Sequence, residues 1–163
     1  MWSKRKKALM ERMASSLRGK VVYDLEYCRP HYRTDPPATS KCTCFYCAYH
    51  RFFQIIINKK DKVMIANNKV YRINDGWITA EAKKNAGLFE MSDVAKAMHL
   101  YLNVYSVQEC LNGTDPLLYL FAVMDRRIGK RTLLRLYQER EHRPQWLWRF
   151  LELRLDAEGI CRS

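Results

Sequence analysis

The spacing of apolar residues divides the chain into a β-forming part followed by a helical part. Apolar residues at three- and four-residue steps over 9–17 predict an amphipathic helix that ends at Gly19. A β-branched and aromatic run then predicts a strand over 21–27. Further short apolar runs are separated by Asn, Asp and Gly, as in hairpins, and they lie at 52–57, 63–66, 70–73 and 77–78.

From residue 79 onward the apolar period becomes helical. Ser106 and Glu109 have the spacing of a capping box, and Asp115–Pro116 combines a capping residue with a proline in the first turn. Gly87 and Gly129 are expected to end helices. In the last helix the predicted apolar face consists of Trp146, Phe150, Leu153 and Ala157. The predicted helix starts are Thr79, Ser92, Ser106, Asp115, Thr132 and Pro144.

This order of elements predicts an α+β fold: an N-terminal helix, an antiparallel sheet of about four strands, and a C-terminal cluster of helices. The length of 163 residues is typical of one domain. We therefore expect a single domain over 1–163, with a sheet-forming part at about 20–78 and a helical part at about 79–160.

Positive charge is concentrated at the two ends of the chain. The formal net charge is +12, and the sequence pI is near 9.6. Residues 1–60 hold 13 basic and 4 acidic side chains, residues 61–124 hold 6 and 7, and residues 125–163 hold 10 and 6. Such an excess favours a polyanionic ligand, although it also serves solubility alone.

The sequence predicts a cytoplasmic protein that does not enter membranes. The basic start is not followed by the apolar stretch of a secretory signal, and the longest apolar run, 117–124, is far shorter than the roughly 20 residues of a membrane span. The six cysteines are therefore expected to be free thiols or metal ligands.

The residues from 28 to 50 concentrate groups that bind zinc, which makes zinc a possible cofactor. A zinc site takes four ligands, and only Cys44 and Cys47 have the usual two-residue spacing. If 42–57 were one strand, Cys42 and Cys47 would lie roughly 16 Å apart and could not share a metal. The alternative is that the cysteines are small apolar side chains. The candidate ligands are Cys28, His31, Cys42, Cys44, Cys47 and His50.

A basic helical corner surrounds Gly129 and resembles a pair of helices that contacts nucleic acid. A solvated basic surface is the alternative interpretation, and the pattern does not separate DNA from RNA. Two lysines near the N-terminus would add phosphate contacts. The candidate contact residues are Arg126, Arg127, Lys130, Arg131, Arg135, Lys4 and Lys7.

No catalytic motif is found, which favours a binding or interaction protein over an enzyme. The Gly129–Arg131 segment lacks the upstream glycine of a phosphate-binding loop, and there is no G-x-S-x-G. A zinc-stabilised module or a metal-dependent enzyme built on the Cys/His segment 28–50 is the alternative. A protein partner could also contact the helix through its Trp146–Phe150 face, and the oligomeric state stays open.

Several phrases together resemble a family of small bacterial proteins of unknown function. The resemblance spans most of the chain, implies one domain in an intracellular bacterial setting, and assigns no activity, cofactor or site residue. The Cys/His segment is not part of the matching pattern. The phrases are Trp2-Ser-Lys, Arg18-Gly-Lys-Val-Val-Tyr, Tyr71-Arg-Ile-Asn-Asp-Gly, Met91-Ser-Asp-Val and Asp125-Arg-Arg-Ile-Gly-Lys-Arg-Thr-Leu.

Overall fold

The protein is described from a computed structural model, which covers residues 2–28, 50–67, 72–73, 76–77, 85–87 and 89–161. The predicted α+β fold is confirmed: an N-terminal helix is followed by antiparallel strands and then by helices. The elements are α1 (Trp2–Arg12), β1 (Val21–Cys28), β2 (His50–Ile57), β3 (Asp61–Asn67), β4 (Arg72–Ile73), β5 (Gly76–Trp77), α2 (Met91–Asn103), α3 (Val107–Asn112), α4 (Pro116–Val123), α5 (Lys130–Gln138) and α6 (Gln145–Ala157).

The strands form an antiparallel sheet in the order β1-β2-β3, and β4 pairs with β5 in a separate two-residue ladder. In the sheet, Val21 lies opposite Ile57 and Tyr23 lies opposite Ile55, and all four side chains are buried. Because side chains alternate along a strand, this register gives the sheet one apolar face toward the helices.

Helix α4 lies at the centre of the core. All eight of its residues are buried, as expected for a helix that is apolar on every side. The ring of Phe121 on α4 lies 5.9 Å from Tyr23 and 6.4 Å from Phe53 on the sheet, and 5.5 Å from Tyr101 on α2. These aromatic contacts join the sheet to the helices.

Two of the predicted helix starts are confirmed in detail. The Ser106 hydroxyl accepts a hydrogen bond from the Glu109 amide, and the Glu109 carboxylate accepts one from the Ser106 amide. The Asp115 carboxylate accepts hydrogen bonds from the amides of Leu117 and Leu118, and Pro116 occupies the first turn. Both caps depend only on neighbouring residues, which is why the sequence predicts them.

The predicted limits of α1 and α2 are wrong. Helix α1 ends at Arg12 and not near Gly19, because Met13 pairs with Asp125 and the Ala14 amide donates to the Met124 carbonyl. The N-cap of α2 is Glu90 and not Ser92, and Glu90 forms a reciprocal capping box with Asp93.

Helix α5 also differs from the prediction at its start, whereas α6 begins directly after Pro144 as predicted. Helix α5 begins at Lys130, two residues before the predicted start. The buried face of α6 contains Leu147, Phe150, Leu151 and Leu155, and Trp146 packs its ring 5.7 Å from Phe89 at the edge of the core. The predicted helix that begins at Thr79 falls largely outside the described residues.

Candidate nucleic-acid interface

A basic groove lies between α1 and the C-terminal end of α2, with Arg126 beside it. Its cavity volume is about 480 Å³. The pairing that ends α1 also brings Arg126 to this place, since the Arg126 amide donates to the Arg12 carbonyl at 2.7 Å. We name this feature the α1 groove, and its lining residues are Lys4, Arg5, Ala8, Glu11, Arg12, Leu102, Asn103 and Arg126.

Arg12 has a structural role in the α1 groove. Its guanidinium donates to the carbonyls of Tyr101 and Leu102 at 2.6 and 2.7 Å, and it lies 5.1 Å from the centre of the Tyr101 ring. Arginine is favourable there because the carbonyls at a helix C-terminus carry partial negative charge. Arg12 therefore closes the end of α2 and fixes one wall of the groove.

Three further cations line the α1 groove. Lys4, Arg5 and Arg126 form no ion pair with any residue that the structure describes, and Lys4 and Arg126 are exposed. The single acidic lining residue, Glu11, lies 3.9 Å from Lys7 in an exposed pair. Among the described residues, Lys4, Arg5 and Arg126 therefore line the groove as positive charges without an acidic partner.

Arg127, one of the sequence candidates, is held by a buried carboxylate. Asp125 is 0% exposed, and the Arg127 Nε and Nη2 atoms donate to its Oδ1 and Oδ2 at 3.0 and 2.6 Å. The Tyr101 hydroxyl donates to the same carboxylate at 2.6 Å. Burial alone would raise the pKa of Asp125, but the hydrogen bonds from Arg127 and Tyr101 lower that pKa below its usual value.

Arg135 lies at a second cavity of about 370 Å³ and not at the α1 groove. Its Nη1 atom is 3.3 Å from the Glu139 carboxylate, in an exposed pair of a kind that contributes little to stability. The same cavity is lined by Arg143, whose guanidinium donates to the carbonyls of Gly113 and Leu111 at 2.6 Å each. Arg135 is therefore separate from Lys4 and Arg126.

The structure thus brings together only part of the predicted contact set. Lys4 and Arg126 share the α1 groove, whereas Lys130 and Arg131 are exposed on the first turn of α5 outside its lining. Arg5 and Arg12 also line the groove. Arg5 belongs to the basic run at 4–7, but no sequence signal marks Arg12, because its partners lie 89 and 90 residues away.

Two of the predicted zinc ligands lie opposite each other in the sheet. Cys28 at the end of β1 pairs with His50 at the start of β2, so their Cα atoms are about 4.5–5.5 Å apart. The other candidates, His31, Cys42, Cys44 and Cys47, fall outside the described residues. Within the part of the chain that is described, no group of three His, Cys, Asp or Glu side chains is arranged to hold a metal ion.

The fold and the groove define a class: an α+β protein with an open cationic groove between its first helix and its helical cluster. None of the helices in the described ranges is long and apolar enough to cross a membrane. The chain belongs to the SF0329 protein family, which it matches over residues 1–155. This confirms the expectation of a family without a described function. No curated protein and no solved structure shows a significant match.

Proposed function

We propose that this protein is a non-enzymatic nucleic-acid-binding protein and that the α1 groove contacts the phosphate backbone. The observation that carries the proposal is the cluster of Lys4, Arg5 and Arg126, which line one groove without an ion-pair partner among the described residues. Phosphates repeat along a strand, so several clustered cations bind it together and release its counterions. The net charge of +12 adds long-range attraction.

Lys130 and Arg131 are proposed to extend the same contact. Lys130 follows Arg126 by four positions in the chain, so their Cα atoms are at most about 15 Å apart, within the span of a few nucleotides. The first turn of α5 contains no acidic residue. Cations at a helix N-terminus oppose the helix dipole, and a bound phosphate would offset that repulsion.

The test compares two charge-matched double variants. The groove pair is Lys4→Gln/Arg126→Gln, and the control pair is Lys60→Gln/Lys62→Gln. Lys60 lies in the β2–β3 turn and Lys62 lies on β3, and both are exposed and do not line the groove. Affinity for a labelled oligonucleotide is measured by fluorescence anisotropy at one salt concentration. We expect the groove pair to lose about tenfold in affinity or more, and the control pair to lose less than about threefold. Equal losses would show that only total charge matters and would contradict the proposed groove.

A zinc-stabilised module is the second candidate, and the pairing of Cys28 with His50 favours it. Cys28 lies opposite His50 in the strand register, and the other candidate ligands lie between these two residues in the sequence. Thiolate and imidazole together form common structural zinc sites.

The zinc content of the purified protein tests this second candidate. We expect about one equivalent of zinc by mass spectrometry of the metal, reduced by Cys28→Ser and unchanged by Cys161→Ser, because Cys161 is an exposed free cysteine. Zinc far below one equivalent in protein purified without chelator would exclude the module and leave the nucleic-acid proposal unaffected.

A further inference from the structure

An exposed aromatic side chain stands directly beyond the α1 groove. In the described part of the chain, the large hydrophobic side chains that are exposed are Val104, at 56%, and Tyr105, at 42%. They follow Leu102 and Asn103, which line the groove. The Cα atoms of Asn103 and Tyr105 are therefore at most about 7.6 Å apart.

The backbone under Tyr105 is held on both sides. The amides of Val104 and Tyr105 donate to the Leu100 carbonyl at 3.0 and 2.9 Å. Ser106, the next residue, caps α3. The Tyr105 ring therefore projects from an ordered backbone, and placing a flat ligand on it costs little additional ordering.

We infer that Tyr105 stacks on an unpaired base and that the ligand of the α1 groove is single-stranded nucleic acid. The inference rests on the proposed function and adds the class of ligand. A cationic groove that follows the backbone, beside an aromatic ring that receives a base, is the combination by which single strands are bound without sequence preference. In a duplex the base faces are covered by their neighbours, so a stacking ring there has no partner.

Removing the groove cations and removing the Tyr105 ring are expected to affect nucleic-acid binding differently. The cations of the groove contact phosphates, which single strands and duplexes share. Removing these cations should therefore weaken the binding of both ligands. The Tyr105 ring is expected to contact a base. Its removal should therefore weaken the binding of single strands alone and leave the salt dependence of binding unchanged.

The experiment measures the binding of Tyr105→Ala and Tyr105→Phe to a labelled single strand and to the matching duplex. We expect Tyr105→Ala to weaken single-strand binding by roughly 5- to 150-fold and duplex binding by less than about twofold. Tyr105→Phe keeps the ring and should retain single-strand affinity within about threefold. Circular dichroism and the melting temperature of both variants check that the fold is intact.

Two results would overturn the inference. In the first, Tyr105→Ala leaves the affinity for the single strand unchanged; in the second, it lowers the affinities for the single strand and the duplex equally. The first includes the case in which Val104 and Tyr105 instead form a docking surface for a protein. If the groove pair still loses affinity in either case, the proposed function stands and only the single-strand assignment fails. If the groove pair loses nothing, the proposed function fails as well.

Discussion

Asp125 is fully buried and carries a charge, which is costly unless its partners compensate. Its compensation comes from the Tyr101 hydroxyl and from the backbone and guanidinium groups of Arg127. Arg127 therefore serves the fold, and we leave it out of the proposed contact surface. The neighbouring Arg126 has no such partner in the described structure and faces the α1 groove.

Replacing Asp125 by Asn tests whether Asp125 and Arg127 stabilise the fold. The substitution keeps the size of the side chain but removes the charge that binds Arg127 and Tyr101, so we expect the free energy of unfolding to fall by about 2–3 kcal/mol. Urea denaturation at neutral pH measures it. Asp61→Asn is the control, since Asp61 is exposed and its pair with Arg149 is expected to contribute no more than about 1 kcal/mol.

The difference in stability between the wild type and Asp125→Asn is expected to depend on pH in a defined way. The folded-state pKa of Asp125 is lowered, so the carboxylate stabilises the fold fully above its unfolded pKa of about 3.9, and this contribution is lost as the pH falls through the folded-state pKa. The stability difference between the wild type and Asp125→Asn should therefore be constant from about pH 5 to 7 and shrink below about pH 4. A difference that grew on acidification would contradict a lowered pKa.

A second buried charge, Arg154, joins α6 to the turn after α1. It is 2% exposed and donates to the Ser16 hydroxyl at 2.9 Å, and it forms an ion pair with Glu158 at 2.6 Å. Burial lowers the pKa of Arg154. Ser16 and Arg154 are 138 residues apart, so nothing in the local sequence distinguishes this arginine from the exposed ones.

Individual elements show which features the local sequence determines. The caps at Ser106 and Asp115 are predictable because each side chain bonds to amides within three residues. The end of α1 is not predictable, because Met13 leaves the helix to pair with Asp125, which lies far from it in the sequence. The apolar period of α1 is still correct in one respect, since Leu9, Met13 and Leu17 are all buried.

A charge reversal at the start of helix α5 is expected to raise the stability of the protein and to weaken its binding of nucleic acid. Lys130 is the first residue of α5, where a cation opposes the helix dipole and an anion favours it. We expect Lys130→Glu to raise the free energy of unfolding by about 0.3–1 kcal/mol, measured by urea denaturation, and to weaken nucleic-acid binding.

Lys96→Glu provides the control for this charge reversal. Lys96 is exposed in the middle of α2, where the helix dipole has little effect. It should therefore show no comparable gain in stability. If Lys130→Glu binds as tightly as the wild type, then α5 lies outside the contact surface, whatever its stability.

For the whole molecule, the sequence predicts the class of fold and the excess of positive charge, but not how that charge is arranged. Lys4 and Arg126 are brought to one groove by the pairing of residues 12–14 with 124–126, a contact between distant parts of the chain. Arg127 and Arg135 belong to the same sequence cluster as Arg126, but they are engaged by Asp125 and Glu139. A run of basic residues therefore does not reveal which charges are free.

The dependence of nucleic-acid affinity on salt is the most direct measurement of the central proposal. Each neutralised phosphate contributes about −0.7 to −0.9 to the slope of the logarithm of the association constant against the logarithm of salt concentration. Three cations that line the α1 groove have no ion-pair partner among the described residues, so we expect a wild-type slope steeper than about −2.

The slope measured for the Lys4→Gln/Arg126→Gln protein should be shallower than the wild-type slope by about one unit for each removed contact. The Lys60→Gln/Lys62→Gln protein should keep the wild-type slope. A wild-type slope near zero, or equal slopes for all three proteins, would contradict phosphate binding in the α1 groove.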